Sequence, residues 1–394
     1  MRATTRPLDH EVDLNDVCRH DGYLFVRNGV GVAGRGRALV VDADEAVGRL
    51  AAIAHDDQSD GMAGPVALGC LPFRPGASAQ FVIPSVIVRK TAGGGVFITT
   101  IDQPSESDVR LFDSTIGPTA PTFRVGPRTP IDTYRRAVEA GREAVRRGDL
   151  TKVVIAREVG VESDQPLDVH AILLRLRAAF GASYRYSIDG IVGASPELLI
   201  AVDGDSVRSH PLAGTTPRTG DPATDEALAN KLMASMKDQV EHRVVIDVVH
   251  DTLLPWCSYL DWEPEPSVIK VANVQHLGTL IEGRLSEPRP DAVALARLLS
   301  PTPALGGHPR EEAIALIDAT EGFDRGRYGG AVGWVDAAGN GEFAVTIRCA
   351  ELSADRRSAR LIAGGGIVAD SDVDAELAET QAKFQAMLSA IVRP

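Results

Sequence analysis

Leu361-Ile362-Ala363-Gly364-Gly365-Gly366-Ile367-Val368 leads into Asp370-Ser371-Asp372 and then into a segment carrying Glu376, Glu379, Thr380 and Lys383. The stretch reads as a small apolar strand over 359–363, a glycine turn and a closing helix. On that helix Glu376, Glu379 and Lys383 fall at i, i+3 and i+7, which is one face. Two carboxylates and an amine beside bare backbone N–H groups suit a divalent cation together with a small carboxylic acid. A solvated helix face behind a glycine turn is the other reading, and the stretch alone leaves both open.

Outward from this end, strands and helices are both abundant. Residues 328–349 read as paired strands around Ala338-Gly339-Asn340-Gly341, and 225–254 carry a long helical pattern. A hairpin over 183–202 turns at Gly190, and a helix covers about 168–179. Lys152-Val153-Val154-Ile155-Ala156-Arg157 is a strand that follows directly on a helix. In that helix Thr129 caps, Pro130 suits the first turn, Ile131, Tyr134, Val138 and Val145 keep helical spacing, and Gly148 ends it. The first 125 or so residues are rich in Gly and Pro. They hold short strands such as Tyr23-Leu24-Phe25-Val26 and Ala38-Leu39-Val40-Val41, with a helix near 45–55. The elements do not alternate as strict βαβ units, so the pattern implies a mixed, largely antiparallel α+β architecture.

The 394 residues carry 41 Lys and Arg against 54 Asp and Glu, a formal net charge of −13. That disfavours nucleic acid and anionic membranes, both of which need a basic footprint. Cys18, Cys70, Cys257 and Cys349 form no CxxC pair and have no histidine at ligand spacing, which argues against a disulfide framework or structural zinc. Reduced thiols, no apolar leader at Met1-Arg2-Ala3-Thr4 and no 18-residue apolar run fit a cytoplasmic protein. Gly29-Val30-Gly31-Val32-Ala33-Gly34 matches GxGxxG, but a strand-like Ala38-Leu39-Val40-Val41 follows where a dinucleotide fold needs a helix. It reads as a glycine-rich hairpin turn.

Four further segments carry potential chemistry. Lys152 opens an apolar strand, and a desolvated lysine suits a general base; a strand-edge lysine in water is the plainer reading. Glu197, in Ala194-Ser195-Pro196-Glu197-Leu198-Leu199, is a carboxyl that an apolar setting would keep protonated, as a general acid requires. Gly214 and Thr215, in Pro211-Leu212-Ala213-Gly214-Thr215-Thr216, offer backbone N–H groups and a hydroxyl to an anion. Lys237-Asp238-Gln239-Val240-Glu241-His242 sets Asp238 and Glu241 on one helical face, with Val240, Val244, Val245 and Val248 marking the apolar side. Hard cations such as Mg²⁺ prefer such oxygens. His242 is off that face and reads as structural. Two pairs of acids on two helices could meet across one Mg²⁺, and Arg348 in Thr346-Ile347-Arg348-Cys349 could clamp a carboxylate.

These blocks, in this order from Lys152 to Lys383, resemble the chorismate-utilising enzymes: isochorismate, salicylate, anthranilate and aminodeoxychorismate synthases. The shared motifs are SPELL, PLAGT, KDxxEH, PTPALGG, FDRxxYGGxVGW, VTIRC, and AGxGIV followed by ExxETxxK. The resemblance implies a single large α+β domain of two mostly antiparallel sheets packed with helices. Residues 1–125 would be its variable part and 126–394 its chorismate-binding core. Lysine at position 152 marks the branch that adds water rather than ammonia. Ala304 with Leu305, in Pro301-Thr302-Pro303-Ala304-Leu305-Gly306-Gly307, resembles isochorismate synthases, where salicylate synthases carry threonine. Pro217-Arg218-Thr219-Gly220 departs from the Arg-Gly that often follows PLAGT, which leaves the shape of that loop open.

By the same resemblance chorismate is the substrate and Mg²⁺ the cofactor, in a monomer or homodimer. Glu241 and Glu379 would hold the metal, supported by Asp238 and Glu376. Lys152 would deprotonate water for attack at C2, and Glu197 would protonate the departing C4 hydroxyl. Arg348 with Gly364, Gly365 and Gly366 would hold the pyruvyl carboxylate. Gly214, Thr215, His276, Ala304 and Leu305 would line the pocket, and Lys383 would touch the ring carboxylate or pair with Glu379. The product would feed menaquinone or siderophore biosynthesis.

Overall fold

Val153, Val154 and Ile155 begin a twelve-residue strand, Lys152–Ser163 (β1), on which the architecture turns. The structure, a computed structural model, describes residues 1–104, 121–271 and 274–393. β1 runs antiparallel to the strand Ser358–Ile367, in ten consecutive pairs from Val153 with Ile367 to Glu162 with Ser358. The glycine triplet is therefore strand and not turn: Gly364, Gly365 and Gly366 pair with Ala156, Ile155 and Val154. The turn comes later, at 369–370, and Asp372 then caps the helix Val373–Val392 by accepting from the Ala375 N–H.

Among the described residues three sheets form, of thirteen, nine and three strands. The hairpin partners Tyr184–Ile188 and Ile191–Ser195 (β2) lie in the first sheet. The next strand, Leu198–Asp203 (β3), belongs to the second, where it pairs with Ser206–His210 and Gly341–Val345. The expected hairpin over 183–202 is thus two elements, because Pro196 and Glu197 carry the chain from one sheet to the other. Leu212–Pro217 (β4) pairs in the small third sheet with Val274–Gly278 (β5). Strands from before residue 125 join both large sheets: Val26 pairs with Arg185, and Leu68 with Trp334.

The two large sheets bury a shared core. Phe25, Tyr184 and Tyr186 of the first meet Leu68, Phe81 and Phe343 of the second. Helices cover the outer faces. Val169–Phe180 and the C-terminal helix seal one side of the first sheet, and Ile131–Arg146 packs on the start of β1. Thr129 does not cap that helix, whose N-cap is Pro130. Its hydroxyl instead accepts from the Glu158 N–H at 2.9 Å, and Ile131 is exposed.

The long helical pattern at 225–254 is also two helices, Pro222–Ala234 and Met236–Leu253 (α1). Ser235 breaks it in an extended conformation, its hydroxyl accepting from the Asp238 N–H. A good N-cap residue here outweighs continuity of the pattern. The buried side of α1 is Val245, Ile246, Val249 and Leu253, while Val240 is exposed. Gly29 lies in the tight turn between Tyr23–Arg27 and Val30–Arg35, where Asn28 and Gly29 both take positive φ and no helix begins. Among the described residues no helix is long and apolar enough to cross a membrane.

Candidate active site

The start of β1, the sheet crossing, β4, β5 and α1 converge on one cleft with the helices Arg310–Thr320 (α2) and Val373–Val392 (α3) behind its walls. The void it encloses, mouth included, is about 650 Å³. Lys152, Glu197, Gly214, Thr215, Glu241, His276, Ala304, Leu305, Arg348, Gly364, Gly366, Glu379 and Lys383 all line it. Thirteen of the sixteen expected residues thus share one space.

Lys152 is 2 % exposed, although a solvated strand edge was the plainer expectation. Its Nζ lies 2.7 Å from Glu241 Oε1. Glu197 is 3 % exposed, enclosed where the chain changes sheets. Burial pushes its carboxyl up to about 8, against the pull of the Leu212 N–H and of Lys152, Lys383 and Arg348. The Leu212 N–H reaches its Oε1 at 3.4 Å. At neutral pH this carboxyl is held protonated beside a cleft otherwise rich in cations.

Arg348, with φ at 51°, turns its guanidinium into the same space. Nη2 donates to His276 Nε2 at 3.2 Å, and Nη1 is buried with no partner. Since a guanidinium only donates, Nε2 accepts, and the His276 proton sits on Nδ1, facing Gly214 O at 3.2 Å and Thr215 Oγ1 at 3.1 Å. Burial, with Arg348 and Lys383 nearby, holds His276 well below its ordinary range and therefore neutral. His276 is a neutral brace for Arg348. The orphaned Nη1 is a buried donor that suits a carboxylate oxygen.

The glycines are explained by what a side chain would strike. A Cβ on Gly366 would stand 2.4 Å from Glu241 Oε1 and 2.8 Å from Lys152 Cε. One on Gly365, which points to the opposite face of the strand, would stand 2.5 Å from Glu376 Oε2. Only backbone fits between the two helices' carboxylates. Lys383 donates to Gly364 O at 2.7 Å and pairs with Glu379 Oε1 at 2.6 Å, so of its two expected roles the pairing with Glu379 is seen.

The four acids assigned to a metal do not meet as one group. Glu241 and Glu379 line the cleft. Asp238 instead packs against Gly214, with Oδ1 3.3 Å from where a Cβ there would sit. Glu376 is buried behind the strand, its Oε1 accepting from Ser371 Oγ at 2.9 Å. Spacing on a helix fixes the face of that helix but not the side of the neighbouring sheet. Among the described residues no three His, Cys, Asp or Glu side chains converge tightly enough to hold a metal by themselves. Two carboxylates facing one polar cleft still fit Mg²⁺, which commonly takes one or two protein carboxylates and completes its shell with water and substrate oxygens. His242 is structural, as expected: it is buried, bonded to Thr279 Oγ1 at 2.8 Å, and lowered to about 4 chiefly by burial.

Tyr328, Ile347, Leu212 and Ile362 are among the further residues of the walls and are not named as site residues from the sequence. Tyr328 and Ile347 lie inside the FDRxxYGG and VTIRC blocks, so a signal existed. Leu212 likewise lies inside the PLAGT block, whereas Ile362 carries no signal that separates it from ordinary core.

A family model described as chorismate binding enzyme matches residues 42–392. The chain is 37% identical over 355 residues to isochorismate synthase DhbC of Bacillus subtilis, covering 87% of this chain and 85% of that one. It is 41% identical over 341 residues, 83% of this chain and 86% of the other, to a Mycobacterium tuberculosis protein provisionally named isochorismate synthase MenF. The solved structure of MenF, the menaquinone-specific isochorismate synthase of Escherichia coli, shares the fold with a TM-score of 0.86. It is 24% identical and matches over 100% of this chain and 94% of that one.

Proposed function

The chain belongs to the chorismate-binding enzyme family, and from that premise we propose that it is a Mg²⁺-dependent isochorismate synthase serving menaquinone or siderophore biosynthesis. The observation that carries this reading is the joint placement of three groups on one cleft: buried Lys152, buried and protonated Glu197, and Arg348 with an unpartnered Nη1. An acid and a base with opposed proton needs are what an exchange of one hydroxyl for another demands.

Chorismate binds with one carboxylate on Arg348. His276 holds the guanidinium in plane, and the backbone at Gly364 and Gly366 leaves room for the ligand. Lys152 takes a proton from the water that forms the new C2–O bond. The ring double bonds shift and the C4–O bond breaks. Glu197 gives its proton to the departing hydroxyl, which leaves as water. The net change is an isomerisation, and the proton gained by Lys152 balances the one lost by Glu197. Glu241 and Glu379 would hold Mg²⁺, which when bound supplies positive charge for the ring carboxylate of the substrate. The same charge explains how an acidic chain accepts a dianion.

Incubation with chorismate and Mg²⁺, with products resolved by chromatography, tests the assignment. Isochorismate is the expected product. Salicylate with pyruvate would move the chain to the lyase branch. Anthranilate formed with ammonium, or full activity in Lys152→Ala, would overturn the role of Lys152.

A further inference from the structure

One buried ion pair lies behind the cleft, bonded to its walls but lining none of it. Glu321 follows the last residue of α2, and Arg325 stands four residues on; their side chains are 0 % and 1 % exposed. Arg325 grips Glu321 with two bonds, Nη2 to Oε1 at 2.5 Å and Nε to Oε2 at 2.9 Å. The remaining bonds all go to backbone of the cleft walls. Arg325 Nη2 donates to Val154 O at 2.7 Å and Nη1 to Leu305 O at 2.8 Å, while Glu321 Oε1 accepts from the Ala156 N–H at 2.6 Å. Phe73 stacks under the guanidinium at 4.5 Å.

The place of the pair in the sheet gives it a purpose. One edge of β1 is paired without interruption to the glycine strand. The other edge is not. Gly307–His308 pairs with Lys152 and Val153, and Gly306 O accepts from the Val154 N–H. Strand pairing resumes only at Val159 with Pro127. Between them Arg128 and Thr129 serve Glu158. The bonds of Val154 O and Ala156 N–H are made by Arg325 and Glu321 instead of by a strand. The ion pair is a side-chain substitute for a missing stretch of β-ladder, two residues beyond Lys152 on the same strand. The same guanidinium ties that strand to Leu305, on the wall opposite in sequence.

We propose that Glu321 and Arg325 are positioning residues: together they set the distance between the strand carrying Lys152 and the loop carrying Ala304 and Leu305, and so fix where the base stands against the bound substrate. The proposal rests on the isochorismate synthase reading for its kinetic arm, but its structural arm does not. A lysine at 325 keeps the charge for Glu321 but cannot hold two carbonyls and a carboxylate in one plane. Misplacement of a base by a fraction of an ångström lowers kcat more than substrate affinity.

The test is Arg325→Lys, measured by steady-state kinetics and by hydrogen–deuterium exchange of the whole protein. The expected result is a folded enzyme with kcat lowered about 10- to 100-fold, KM within about twofold, and faster exchange confined to peptides spanning 150–158 and 301–308. A wild-type kcat with unchanged exchange overturns the proposal. So does a raised KM with kcat intact, or exchange that rises evenly across the chain. Should Arg325→Lys not fold, Glu321→Gln keeps an oxygen for the Ala156 N–H, removes the charge, and is read by the same two measurements. If the wild-type protein makes no isochorismate, the functional reading falls, and the exchange pattern alone decides the role of the pair.

Discussion

Glu197 concentrates the pH behaviour of the site in one carboxyl. An ordinary glutamate loses its proton near 4.5, whereas this one holds it to about 8 because the chain buries it at the crossing between sheets. If it is the acid, kcat/KM falls as pH climbs through about 8, and Glu197→Gln lowers kcat by about 100-fold or more. Stability falls with rising pH too, but over a lower window. Between about 4.5 and 8 the unfolded chain releases this proton while the folded chain retains it, so the wild type loses stability across that window. Glutamine has no proton to release, and the melting temperature of the variant relative to wild type should rise as pH goes from about 5 to 8; a constant difference would show that the carboxyl is not held protonated. Gly366 offers a steric counterpart. Gly366→Ala sets a methyl 2.4 Å from Glu241 Oε1. It should cost about 100-fold or more in kcat while unfolding stays cooperative, with a loss of about 1–3 kcal/mol. At this scale the sequence was informative where a residue type is rare in its setting, as for Lys152 and Glu197. It was silent on Ile362, because an apolar wall residue looks like any core residue, and could not tell that Glu376 and Asp238 stand off the cleft wall, since their neighbours belong to distant segments.

At the scale of elements, pattern gave type more readily than limits. The helices before β1 and at the C-terminus, and the pairing around Ala338–Gly341, are where periodicity puts them. The failures share one cause, a local preference outweighed by non-local contact or the reverse. Three glycines disfavour a strand, yet pairing with Val154, Ile155 and Ala156 and the clash any Cβ would make keep them in one. Continuous helical spacing favoured one helix over 225–254, and the capping chemistry of Ser235 divided it. The helix α1 carries a measurable consequence. His242 stays neutral down to about 4 in the fold, whereas a free histidine protonates near 6.5. Its lowered value contributes stability that is present above about 6.5 and lost as pH falls toward 4, on the order of 3 kcal/mol. Denaturant unfolding of His242→Gln should show a shallower loss between those values than wild type. An equal slope would locate the acid sensitivity elsewhere, His276 being the next group to examine.

For the whole molecule, fold class followed from element content, but sheet membership did not. Nothing local told that Val26 would pair with Arg185, or Leu68 with Trp334, because such pairings are decided across more than a hundred residues of chain. The core that results is apolar and spans both sheets. Chelation of Mg²⁺ should therefore abolish turnover while the thermal midpoint shifts by no more than a few degrees; a large drop would mean that the ion is structural. The crossing at Pro196-Glu197 has a consequence in time as well as in space. Lys152 stands at the start of a strand paired within the first sheet, whereas Glu197 is buried where β3 enters the second sheet and the two sheets meet, so the acid depends on both sheets being closed. A refolding chain with one sheet complete would hold native-like secondary structure and no enzyme. Recovery of turnover thus marks the last docking event, and in a topology this non-local it should lag behind the recovery of circular dichroism.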